Sequence, residues 1–130
     1  MAMQFTVSTR SRTEMVDITS RVQDFVREEG VQDGAVMVFV PHTTAGVTIN
    51  ESADPDVARD IIMALNILVP GDLDYRHAEG NSPAHIKSSM MGSSVLVEVS
   101  GGRLVLGTWQ GVFFCEFDGP RTRKVRVVAL

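Results

Sequence analysis

The sequence predicts a single α+β domain spanning residues 1–130: mixed or antiparallel β-sheets in a sandwich-like arrangement, with about three helices. Three observations carry that expectation. Apolar residues alternate with period two near both ends of the chain. Two acceptor-plus-proline pairs, Asp54-Pro55 and Ser82-Pro83, start helices in its middle. From Ser94 onward every segment reads as strand or turn.

The elements follow in order. Met3 to Ser11 sets Phe5, Val7 and Thr9 against Gln4, Thr6 and Ser8, which is a strand pattern. Asp17 or Thr19 caps a short helix with Val22, Phe25 and Val26 on one face, and Gly30 stops it. Gly34 to Val40 is a nearly continuous apolar run of strand length, so both of its faces are expected to be covered. Gly46 to Asn50 is a second short strand. After Asp54-Pro55, Val57, Ile61, Leu65 and Leu68 recur at helical spacing until Pro70-Gly71. Asp72 to Asn81 is polar and aperiodic, hence a loop. Ser82-Pro83 opens a third helix that Gly92 can end. Val95, Val97 and Val99 then alternate, Gly101-Gly102 turns the chain, and Arg103 to Thr108 returns. Gln110 to Asp118, a Gly119-Pro120 turn and Arg123 to Leu130 complete the β run.

Composition narrows the function. Apolar content of 44% and charged content of 22% are ordinary for a globular protein. A net charge of −4 and a pI near 5.3 argue against broad binding to nucleic acid or an anionic membrane. A basic cluster, Arg121, Arg123, Lys124 and Arg126, reads as the solvated side of the last strand. One cysteine excludes an intrachain disulfide. Met1 to Thr6 shows no basic region followed by an apolar core, and no apolar run approaches the ~20 residues of a membrane span. A cytoplasmic location is the expectation.

All three histidines lie in short polar segments: His42 in Pro41 to Gly46, His77 in Asp74 to Asn81, His85 in Ser82 to Ser89. Imidazole suits both metal ligation and proton transfer near neutral pH. One site assembled from distant segments is the expectation, with His42, His77 and His85 as ligands of a divalent metal such as Mg or Zn. Their sequence spacing matches no zinc motif. The rival reading is three separate surface or hydrogen-bonded histidines.

Other groups join the first two segments. Thr43, Thr44, Glu51, Asp54 and Asp56 offer hydroxyls and carboxylates at a sheet rim, although helix capping accounts for Asp54 and partly for Asp56. His85, Lys87, Ser88 and Ser89 follow a helix start, a place that favours anions. The segment lacks the spacing of a phosphate-binding P-loop. In the strand around residue 115, Phe113, Cys115 and Phe117 share one face, while Phe114, Glu116 and Asp118 share the other. Cys115 reads as a packed thiol and Asp118 as an ion-pair partner. Glu116 stays open between structural and chemical roles. Trp109 reads as an interface residue or a pocket wall.

Taken together, several blocks resemble the YjbQ family, also called the secondary thiamine-phosphate synthase family. They are His42-Thr43-Thr44-Ala45-Gly46, Asn50 to Asp56, Glu79-Gly80-Asn81-Ser82, Ala84 to Ser89 and Gly107-Thr108-Trp109-Gln110-Gly111. The resemblance implies a homotrimer with polar clefts near subunit boundaries. It also implies weak thiamine-phosphate synthase activity, which joins a pyrimidine pyrophosphate to a thiazole phosphate and releases pyrophosphate. For that chemistry His85, Lys87 and Glu51 are the catalytic candidates, and Thr43, Thr44, Asn81 and Ser88 the substrate-binding ones. The alternative is a non-catalytic metal- or metabolite-binding trimer whose synthase activity is incidental.

Overall fold

The computed structural model describes residues 1–130 and forms a single α+β domain with three helices and two antiparallel sheets. The chain order is β1 (Ala2–Ser8), β2 (Glu14–Asp17), α1 (Thr19–Glu28), β3 (Gly34–Phe39), β4 (Ala45–Glu51), α2 (Pro55–Leu68), α3 (Ser82–Met91), β5 (Ser94–Ser100), β6 (Arg103–Leu104), β7 (Gln110–Glu116) and β8 (Thr122–Ala129). The larger sheet has the order β1-β8-β3-β5-β6, and the smaller β2-β7-β4.

Two apolar layers follow from the alternation along the strands. Phe5, Val7, Val36, Val38, Val97, Val99, Val125 and Val127 point inward from the larger sheet. They meet Val47, Val112 and Phe114 from the smaller sheet and Val22, Phe25 and Val26 from α1. Burying each of these α1 side chains stabilises the fold by roughly 1.5–3 kcal/mol. The other face of the smaller sheet carries Phe113, Cys115 and Phe117, which pack with Leu65 of α2 and Ala84 of α3.

Local signals explain two helix starts. Asp54 caps α2 by accepting the Asp56 N–H at 2.9 Å, with Pro55 in the first turn. At α1 the Asp17 carboxylate accepts the Thr19 N–H at 2.9 Å, and the Thr19 hydroxyl accepts the Val112 N–H at 2.8 Å. The second bond fastens α1 to β7.

Several expectations need correction. β1 ends at Ser8 rather than Ser11, and β6 is two residues long rather than running to Thr108. β2 has no counterpart in the predicted elements; it exists through its register with β7, from Glu14 opposite Glu116 to Asp17 opposite Phe113. β3 is not covered on both faces: Val36 and Val38 are buried, while Ala35, Met37 and Phe39 are half-buried. The helix α3 begins at Ser82 with Asn81, not Ser82, in the cap position, and no side chain caps it. Phe113, Phe114 and Phe117 are buried in the chain's own core, while Trp109 is 62% exposed. No helix is long and apolar enough to cross a membrane.

Candidate functional site

The three histidine segments end at one place. His42 follows β3 and Pro41, His77 belongs to the α2–α3 loop, and His85 lies in the first turns of α3. All three line a cleft of about 760 Å³, together with Thr43, Thr44, Glu79, Asn81, Asp118, Arg121 and Arg123. Phe39 and Val40 supply its little apolar wall. The cleft is therefore a polar chamber suited to an ionic small molecule rather than to a greasy one.

The seating of α3 explains how His85 reaches it. A Cβ at Gly46 would lie 2.7 Å from the Gly92 carbonyl oxygen, so β4 accepts the end of α3 only with glycine there. The Ser88 hydroxyl donates to the Thr43 carbonyl at 3.0 Å and ties the helix to the loop that carries His42. The rings of His77 and His85 meet edge to face, with centroids 5.3 Å apart and planes at 85°.

His42 is held differently. Its Nε2 accepts the Lys124 N–H at 2.9 Å, so the neutral ring carries its proton on Nδ1. Burial, and then the charge of Arg123, hold its pKa below the usual histidine value. A neutral His42 has no free lone pair for a metal in this arrangement. Nor does any group of three His, Cys, Asp or Glu side chains stand close enough to hold one. The expected ligand set of His42, His77 and His85 is brought into one cleft but does not form a metal centre within the chain.

Behind the cleft lies a buried ionic lattice. Glu116 is fully buried and accepts from Arg123 Nε at 2.9 Å, from the Thr9 hydroxyl at 2.8 Å and from the Asp118 N–H at 3.0 Å; Arg123 Nη2 completes the pair. Burial pushes the Glu116 carboxyl up, but these donors outweigh it and keep the pKa below the ordinary carboxylate value. Arg123 Nη2 also donates to the Thr44 hydroxyl at 2.8 Å. Thr44 and Glu116 thus hold the cleft's floor, and Thr44 has little left for a substrate. Asp118 sits above them and accepts from Asn81 Nδ2 at 2.9 Å and Arg121 Nη2 at 3.3 Å. Cys115 is buried, and its pKa is pushed up to about 12 by that burial, which makes it a packed thiol.

Two expected catalytic residues stand elsewhere. Glu51 ends β4, about 20 Å along the strand from Ala45, and accepts the Ala53 N–H at 3.3 Å. Lys87 is two residues from His85, roughly 200° around the helix. It is buried on the opposite side of α3, where burial, and then the nearby Arg12, lower its pKa. The α3 start is also a weaker anion seat than expected. Pro83 has no N–H, and those of Ala84 and His85 go to the Asn81 carbonyl.

Sequence reasoning missed Arg121 and Arg123 as cleft residues. For Arg123 the signal was parity. Arg123, Val125 and Val127 are alternate residues of β8, and all three are buried.

The comparisons agree with this architecture. A family model described as UPF0047 protein YjbQ-like matches residues 3–130. The UPF0047 protein YugU of Bacillus subtilis is 53% identical over 118 residues, covering 90% of this chain and 89% of that protein. A UPF0047 protein of Methanocaldococcus jannaschii is 50% identical over 127 residues, covering 98% and 92%. Among solved structures, an uncharacterized conserved YjbQ/UPF0047 protein of Clostridium acetobutylicum superposes with a TM-score of 0.97 at 53% identity, covering 98% of this chain and 99% of that one. A conserved hypothetical protein of Thermus thermophilus gives a TM-score of 0.92 at 44% identity, covering 98% and 99%. The chain belongs to the YjbQ-like UPF0047 family.

Proposed function

We propose that the protein is a slow enzyme of small phosphorylated substrates, and that thiamine-phosphate synthesis is the reaction its cleft performs. The observation that carries this reading is the convergence of His42, His77 and His85 with Arg121 and Arg123 in one polar cleft. In the proposed reaction the pyrimidine pyrophosphate loses pyrophosphate as the thiazole phosphate bonds to it. Charge grows on the departing group, and preorganised donors aimed at that charge lower the barrier. Exposed His77, half-buried His85 and the part of Arg121 not held by Asp118 are the cleft donors for it; Arg123 is already committed to Glu116. Thr43 would orient the substrate, whereas Asn81 would act through the Asp118 carboxylate it holds and Ser88 through the Thr43 carbonyl. A divalent cation, Mg or Zn, enters this reading only as a companion of the pyrophosphate, and no step is assigned to it. We place the protein in the cytoplasm, where its single buried thiol is at home.

Assay of the purified protein for thiamine phosphate tests the reading. Wild type should give slow turnover, and His85→Ala should lower it by roughly 10²-fold. No product above a protein-free control would remove the activity. An unchanged rate in His85→Ala would remove that histidine.

A second reading is favoured by the scarcity of apolar wall. Two aromatic heterocycles normally find more than Phe39 and Val40 to lie against. On that reading the protein binds a metabolite or metal without converting it, and a ligand retained through purification with no turnover would support it.

Homotrimer assembly belongs to the same proposal. Met63, Ile67 and Leu68 of α2 are 55%, 71% and 68% exposed, and Met90 of α3 is 52% exposed. Such apolar surface fits a subunit contact. Light scattering should give three times the 14.2 kDa chain mass, and a monomer at micromolar concentration would sink the assembly.

A further inference from the structure

Lys87 is 6% exposed, and a buried ammonium ordinarily faces a carboxylate. Its Nζ donates instead to the neutral side-chain carbonyl of Asn66. It takes part in none of the ion pairs of the chain. The charged group that bears on it is another cation, Arg12.

The amine opens on a cavity of about 410 Å³, separate from the histidine cleft. Arg12, Thr13, Asn66, Asn81 and Phe117 line it with Lys87, and none of its lining residues is acidic. Asn81 adds a second anomaly. Its Nδ2 is committed to Asp118, but its Oδ1 is buried with no hydrogen-bond partner. Buried polar atoms are nearly always paired. The cavity is therefore lined by a buried ammonium that has no carboxylate partner and by Arg12, whose single ion pair, to Asp118, leaves most of its guanidinium uncommitted.

We propose that this cavity is a second ligand site, which takes the phosphate group of a small phosphomonoester. Lys87 and Arg12 together match the charge of a phosphate, close to −2 at neutral pH. Arg12 spends only Nη1, at 3.5 Å from Asp118, and the rest of its exposed guanidinium is free to turn toward a ligand. The site stands whether or not the synthase reading holds: the two chambers share Asn81 but no cation.

The test is an amide chemical-shift titration of the full chain with glycerol 3-phosphate, with glycerol as the uncharged control. Gly71 and Gly80 report on the cavity, and Thr43 and Ser93 on the cleft. Glycerol 3-phosphate should move the Gly71 and Gly80 signals, and glycerol should not. Lys87→Met should raise the midpoint at least tenfold, and Arg12→Gln at least threefold. His85→Ala should leave it unchanged. Should Lys87→Met fail to fold, the exposed Arg12 variant decides alone. Absent shifts at Gly71 and Gly80, equal shifts with glycerol, midpoints unmoved in the folded cation variants, or a His85→Ala effect as large as theirs would each overturn the proposal.

Discussion

Arg123 and Lys87 are both buried, at 3% and 6% exposure, yet their surroundings are opposites. Arg123 meets both oxygens of Glu116 and the Thr44 hydroxyl, and Glu116 is itself completed by Thr9 and a backbone N–H. Lys87 has one neutral amide. A closed charge lattice of the first kind holds the ends of β4, β7 and β8 in register and leaves no valence for a ligand. An open cation of the second kind adds little to the fold and keeps its charge available. Burial alone therefore does not separate structural from functional charge; the state of the partner does.

The largest expected effect comes from breaking the closed pair. Glu116→Gln leaves Arg123 buried without its carboxylate and should cost about 3–5 kcal/mol, measured by urea unfolding at neutral pH. The pH dependence has a definite sign. The native Glu116 pKa lies below the ordinary value of 4.5, so its contribution is complete above that value and is lost as pH falls through the native pKa. Acid should therefore shrink the gap between wild type and variant. A gap that widened in acid would show that the carboxylate is not what stabilises Arg123.

A smaller effect is expected when both partners go. Glu116→Leu with Arg123→Met removes the charges together and should be less destabilised than either single change, again by urea unfolding. A loss equal to the sum of the singles would mean that the lattice is not one unit. The smallest effect belongs to Lys87→Met. It deletes an open cation while keeping the side-chain volume, and its stability should stay within about 1 kcal/mol of wild type. A loss as large as that of Glu116→Gln would erase the distinction between the two cations.

What the sequence made legible was local. Asp54-Pro55 announces α2 because a cap and a fixed φ act within one turn. The histidine segments announced the cleft because each is a short polar stretch: two are loops between periodic elements and the third is the start of a helix. The missing pieces are set by distant partners. β2 is four residues whose strand state depends on β7, about a hundred positions away. Glu51 seemed close to His42 in sequence, but β4 carries it to the far end of the sheet. Arg123 looked solvated among other basic residues, although its parity with Val125 and Val127 points inward. Lys87 looked like a partner of His85, although two residues on a helix face nearly opposite ways.

Asn81 occupies the cap position of α3 yet gives its side chain to Asp118. The first turn of α3 thereby forgoes about 1 kcal/mol that Asp54 supplies to α2. Such an end frays more readily than a capped one. Because Asn81 stands in the wall of both chambers, the same brief unwinding would loosen both walls. A disturbance at this one helix end would therefore reach the cleft and the cavity together, on the timescale of helix-end breathing rather than of any larger rearrangement.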